Sequence, residues 1–170
     1  MENRINNPYQ WFFLPGILFG ILGVSLWVIF VLGKINFYPA IIHSEIMMNG
    51  FVLTVAVGFL MTAIPRFTNT PSASFLEKLL PALAIAGLFL FSLAETRLPY
   101  HFIVIVIDLL MIRFMLVRVR QCKLTPPASF ILVAFGLFST LLGNILLCFN
   151  VSGTLFNLAR LLVNYGLSMG

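Results

Sequence analysis

The sequence predicts an all-α fold: a polytopic transmembrane bundle of about five to six helices, formed as a single domain over residues 1–170. Two observations carry this. The chain is 61% hydrophobic and only 9% charged, with a mean hydropathy of +1.06. No soluble domain of this size can bury so much apolar surface, so the excess faces lipid. The apolar residues also fall into blocks of about 20, the length that crosses the hydrocarbon core, separated by short loops.

The polar start "MENRINNPYQ" leads into a first block at 11–33. That block is too long for a signal-peptide core and no small-residue cleavage site follows it, so it reads as a retained helix. The second helix covers 40–64, and Pro65 in "TAIPRF" is expected to end it. The longest loop, "RFTNTPSASFLEK" at 66–78, is rich in turn formers. In it Ser74 and Glu77 have the spacing of a capping box that opens the third helix, 79–95. The fourth helix covers 99–118. "QCKLTPP" supplies two prolines suited to the start of the fifth, 127–149. A sixth begins near Thr154 and runs to the end of the chain. A homo-oligomer or partner helices are expected to complete the bundle.

The net charge is +5, but the basic residues are spread between apolar blocks as loop anchors. The expected partner is therefore the lipid bilayer and not nucleic acid. Cys122 and Cys148 form no C-x-x-C motif, which argues against a disulfide framework or a structural zinc site. Orientation follows from loop Lys and Arg. With the N-terminus in the cytoplasm, Arg4, Arg66, Lys78, Arg118, Arg120 and Lys123 lie inside, and Lys34, Arg97 and Arg160 lie near the outer side.

Four ionisable residues enter the apolar segments: His43, Glu45, His101 and Asp108. Such groups usually face a bundle interior. On the second helix, His43, Met47, Gly50, Thr54, Gly58 and Met61 share one stripe by 3.6-residue periodicity, while Glu45 and Asn49 share another. Small or polar residues on both faces place this helix centrally. His101 and Asp108 share a face of the fourth helix, with Asp108 about 10 Å deeper. Both histidines start helices on the outer side, so they are candidates to approach one another. Two imidazoles, or an imidazole and the Met47 thioether, can ligate haem iron or copper. The plainer readings stand beside this. A histidine at a helix end serves as an interfacial hydrogen-bonding residue, and methionines serve as packing. Asp108 interrupts "IVIVIDLLMI" and needs a partner or must be protonated; Asn144 is the candidate partner.

The stretch "HSEIMMNGFVLTVAVGFLMTAIPRFTNTP", 43–71, resembles the NnrS family. That family's pattern is H-A-H-E-M-x-x-G-[FY], followed by G-F-L-x-T-A-x-P-x-[WF]-T-G. His43, Met47, Gly50 and Phe51 match the first part. Gly58, Phe59, Leu60, Thr62, Ala63, Pro65, Phe67 and Thr68 match the second, and "LARLLVNYG" resembles the start of a later family helix. In an ungapped alignment Glu45 replaces the second histidine and Ile46 the glutamate, and in a gapped one Glu45 keeps the glutamate but a histidine is lost; either way His43 alone carries over cleanly. The resemblance implies a bacterial inner-membrane protein linked to nitric oxide response or denitrification, binding haem or copper. It also implies that this chain covers about half of the family's helices. His43 is then the metal ligand, with Met47 and His101 as further cofactor-binding residues; Glu45, Asn49 and Asp108 are the buried polar set.

Two other function classes fit the residues. One is a proton- or ion-coupled transporter working through Glu45 and Asp108. The other is a structural or assembly subunit without a cofactor. No nucleophile–base pair, phosphate loop or dinucleotide fingerprint is present in the sequence to define an enzyme.

Overall fold

A computed structural model describes residues 7–122, 129–149 and 152–166. Among these residues the chain folds as six helical rods with no strand. They are α1 (Pro8–Val31), α2 (Ala40–Thr68), α3 (Phe75–Phe91), α4 (Leu98–Gln121), α5 (Ser129–Cys148) and α6 (Thr154–Gly166). Successive rods alternate in direction. The α1 start meets the α3 start, where Trp11 stacks edge-on with Phe75 at 6.0 Å. The predicted all-α bundle and its helix order are therefore present.

Three rods, α1, α2 and α5, are long and apolar enough to cross a membrane. Their outward faces are Leu, Ile, Val and Phe, as at Leu14, Ile21, Val28, Phe135 and Phe138. These side chains find no protein partner because lipid replaces water as their solvent. The shorter α3 and the more charged α4 complete the bundle beside them.

Helix α2 holds the central position. It packs on α1, α3, α4 and α6, and reaches α5 through a hydrogen bond from Asn49 to Asn144. Its seam with α1 is a set of reciprocal small-residue notches. Phe19 of α1 fills the notch at Gly50, and Phe12 fills the one at Gly58. In return Gly16 receives Val55, Gly20 receives Phe51 and Gly23 receives Met47. Close backbone approach of this kind drives helix association where lipid tails remove the hydrophobic term.

Two features of α2 depart from the sequence reading. Residues Ile46–Val52 form a π-helical stretch, so the turn is wider than the 3.6 periodicity assumes. And Pro65 does not end the helix, which runs on to Thr68. Asn69 ends it instead, adopting the left-handed conformation at φ 51°, while the Thr70 amide donates to the Pro65 carbonyl at 3.0 Å. Proline near a C-terminus removes one donor but leaves its carbonyl free for that closing bond.

The Ser74–Glu77 capping box is formed. Glu77 also receives both guanidinium nitrogens of Arg118, at 2.7 and 2.8 Å, and so ties the α3 start to the α4 end. Arg118, read from sequence as a loop anchor, is buried and stacks on Phe114 at 3.7 Å. Glu77 precedes the apolar stretch of α3. The Arg118 hydrogen bonds hold its carboxyl down from the ordinary 4.5 to about 2, against the opposing effect of partial burial. A depressed carboxylate adds stability above its unfolded value, and that contribution is lost as pH falls towards about 2. Arg4 and Lys123, the other members of the expected cytoplasmic set near these ends, lie outside the described residues, as do Pro126 and Pro127.

Candidate functional site

The polar interior is built where α2, α4 and α5 meet. Glu45, in the first turns of α2, is buried and paired with Arg97 at the start of α4. The second arm of Arg97 donates to the Ser92 carbonyl at 2.8 Å, and its guanidinium lies 4.4 Å from the Tyr100 ring centre. Tyr100 is fully buried, and its hydroxyl donates to the Glu45 carbonyl at 2.8 Å. Both the side chain and the backbone of Glu45 are thus held by α4.

His101 continues the network inward. Its Nε2 lies 3.9 Å from the Glu45 carboxylate, and its Nδ1 lies 3.0 Å from the Asn144 side-chain oxygen. Asn144 also accepts from Asn49 at 3.2 Å and donates to the Thr140 carbonyl at 2.9 Å. Asn49, Asn144 and Thr140 are fully buried. Three helices are therefore cross-linked by a chain of polar groups running from Arg97 to Thr140. Networks of this kind stabilise only when each member is paired, since an orphaned group in hydrocarbon is costly.

His43 lies elsewhere. It faces α1, where its Nδ1 sits 2.8 Å from the Gly23 carbonyl and its ring meets Trp27 edge-on at 5.8 Å. Trp27 in turn contacts Tyr38 at 5.4 Å. The Met47 thioether sulfur occupies the Gly23 notch, 2.9 Å from where a Cβ would stand. The structure thus brings His43 and Met47 onto the same glycine. It does not bring His101 to them, because His43 is turned to α1 while His101 is turned to Asn144 on α5. His43 is thus engaged by α1, and His101, which belongs to α4, by Asn144 of α5 and Glu45 of α2.

Asp108 is fully buried on α4, with the Thr140 hydroxyl beside it. Among the described residues neither carboxylate oxygen has a hydrogen-bond partner. Asn144, the partner expected from sequence, is committed to His101 and Asn49. Arg113 is exposed. The residue that sequence reasoning missed is Arg97. A glutamate inside an apolar segment implies a cation near it, and the proposed topology already set Arg97 at the same membrane side.

The donor set admits a direct test against the expected cofactors. Among the described residues no group of three or more His, Cys, Asp and Glu side chains could hold a metal. Of the expected haem ligands, His43 has its Nδ1 on the Gly23 carbonyl of α1 and His101 has its Nδ1 on the Asn144 side chain of α5. An imidazole with a thioether beside it does suit a soft metal such as copper(I). Gly23 contributes to that pair twice, through its carbonyl and through its missing side chain.

Three spanning helices, a lipid-facing exterior and a polar network in the interior define an integral membrane protein of the polytopic helical class. The NnrS protein family matches residues 4–169, nearly the whole chain, and this protein belongs to it. Searches of curated proteins and of solved structures returned no match.

Proposed function

We propose that this NnrS-family protein takes part in the response to nitric oxide or in denitrification, through a haem or copper centre held at His43. One observation supports the reading most. The hydrogen bond from His43 Nδ1 to the Gly23 carbonyl fixes the ring and leaves Nε2 as its free lone pair. A metal-ligating imidazole is normally held in this way. Met47 adds a soft donor from the next turn, and Trp27 covers the ring against water. The bound metal would supply the coordination position at which a nitrogen oxide is recognised. The chain's own part is to orient the imidazole, present the thioether and exclude solvent. His101 takes no part in this centre, because Asn144 and Glu45 engage both its nitrogens.

The test is to express the wild type, His43→Ala and His101→Ala with haem and copper supplied, then record absorption spectra and metal content. The wild type and His101→Ala are expected to carry metal, and His43→Ala to lose at least about tenfold in affinity. A folded wild type that is colourless and free of copper would sink the proposal.

We place the protein in a bacterial inner membrane with its N-terminus cytoplasmic. Exposed Arg66 and Arg120 at that end support this, whereas Arg97 and Arg118 contribute less than their sequence positions suggest because each is ion-paired. Labelling of Cys122 by an impermeant reagent added outside intact cells would reverse the orientation.

A further inference from the structure

We infer that the cavity between the start of α3 and the end of α4 binds an anionic phospholipid of the surrounding bilayer, with Arg113 holding the headgroup phosphate. The cavity has a volume of about 570 Å³. That lies within the range of roughly 300–1,000 Å³ typical of small-ligand sites. Buried Met61 backs it, far along α2 from His43. Leu76 and Leu80 of α3 and Leu110 and Val117 of α4 form apolar walls. Ser72 in the loop before α3 and Gln121 at the end of α4 add neutral polar groups.

The charge balance singles out Arg113. Glu77 and Arg118 line the same cavity but neutralise each other through their paired hydrogen bonds. Arg113 has no hydrogen-bond or ion-pair partner among the described residues. The cavity lining therefore keeps one net positive charge.

Its position indicates what meets that charge. Arg113 stands eight residues before the end of α4, about 12 Å along the axis. Around it on the helix surface Leu109, Leu116 and Val117 are exposed. A cation among lipid-facing side chains is costly unless it is paired or reaches the headgroup level. The cavity gives a headgroup access to this depth. Its lining passes from Ser72 and Gln121 at the loop end to Leu80 and Leu110 further in.

The ligand class follows from these groups. A guanidinium pairs with a phosphate through two parallel hydrogen bonds, which an ammonium cannot match. The excess positive charge favours an anionic headgroup over a zwitterionic one, whose own ammonium it would repel. Exposed Leu76, Leu80 and Val117 suit the first carbons of the acyl chains. Basic pockets between membrane helices near the interface bind anionic headgroups on the same physical grounds.

The experiment uses the full chain in mild detergent. Phosphatidylglycerol or phosphatidylcholine with the same acyl chains is titrated in. Melting is followed, and bound lipid is counted by native mass spectrometry. Glycerol phosphate serves as a headgroup without chains. The wild type should melt higher in phosphatidylglycerol than in phosphatidylcholine and retain about one such lipid per chain. Arg113→Gln should weaken phosphatidylglycerol binding about tenfold. Arg120→Gln should bind like the wild type, because Arg120 is exposed at the same end but does not line the cavity. Glycerol phosphate should give no shift.

Equal shifts from the two lipids overturn the inference, as does a phosphatidylglycerol shift that survives in Arg113→Gln. Equal losses in Arg113→Gln and Arg120→Gln overturn it in favour of diffuse charge attraction. A full shift from glycerol phosphate alone overturns the lipid assignment in favour of a soluble phosphate. A wild type that is dimeric without lipid, and monomeric as Arg113→Gln, gives the face to a second copy instead. If Arg113→Gln does not fold, Val117→Trp decides. It sets a large ring in the cavity wall and keeps every charge, so unchanged phosphatidylglycerol affinity there rejects the site.

Discussion

Arg97→Ala is expected to destabilise the protein by about 3 kcal/mol. Glu45 is buried, and its carboxylate is paired with the Arg97 guanidinium, with the His101 Nε2 at 3.9 Å. Removing the guanidinium strands a charge in the bundle and also frees the Ser92 carbonyl that caps the end of α3. The figure sits at the low end for a broken buried pair because the Arg97 side chain keeps 23% of its exposure. Two further variants separate the charge from the packing. Glu45→Gln combined with Arg97→Ala should recover most of the loss, since no charge is then left unpaired. Arg97→Lys should recover little, because a single ammonium cannot reach both Glu45 and Ser92 as the planar fork does. Detergent melts of the four proteins measure this, and an Arg97→Ala melt equal to the wild type would show that the pair is not structural.

Gly50→Ala is expected to cost about 2–3 kcal/mol through overpacking. A Cβ at Gly50 would stand 2.5 Å from Cδ1 and 2.8 Å from Cγ of Phe19. Those atoms are near the root of the ring and cannot swing clear as a flexible tip would. Phe19 is fully buried and meets Phe89 edge-on at 5.1 Å, which blocks its retreat. Gly87→Ala is the matched control. There the nearest atom is the Ile103 Cδ1 at 3.5 Å, an ordinary contact, and helix propensity favours alanine by about 1 kcal/mol. Thermal melts should therefore move in opposite directions for the two substitutions. Equal shifts would mean that the notch at Gly50 does not hold α1 against α2.

Much of the fold was legible because membrane helices announce themselves by length and apolarity, and loops by turn chemistry. The Ser74–Glu77 box and the close-approach role of Gly50 and Gly58 could be read one helix at a time. What a single helix does not encode is its partner. Arg97 and Arg118 look like loop anchors at the ends of α4, yet each reaches a carboxylate on another helix, 52 and 41 residues away in sequence. His43 and His101 share a membrane side, yet the rotation of α2 turns one to α1 and leaves the other to α5. The π stretch at Ile46–Val52 left no trace in the residues, since a helical wheel at 3.6 residues per turn already grouped His43, Met47 and Gly50 plausibly. The burial of Asp108 is legible in the sequence, but not that His101 of the same helix and Asn49 of α2 both engage the Asn144 amide.

The pairing of Glu45 with Arg97 also sets an order of events during biogenesis. Glu45 leaves the ribosome 52 residues before its counterion does. At about 5–20 residues per second, that interval is about 3–10 s. Helix α2 is thus made as a segment carrying an unmatched carboxylate, and it becomes fully lipid-compatible only after the α3 hairpin has brought the start of α4 alongside. The ion pair works as a latch between an early and a later product of translation, closing that end of the bundle once α4 arrives.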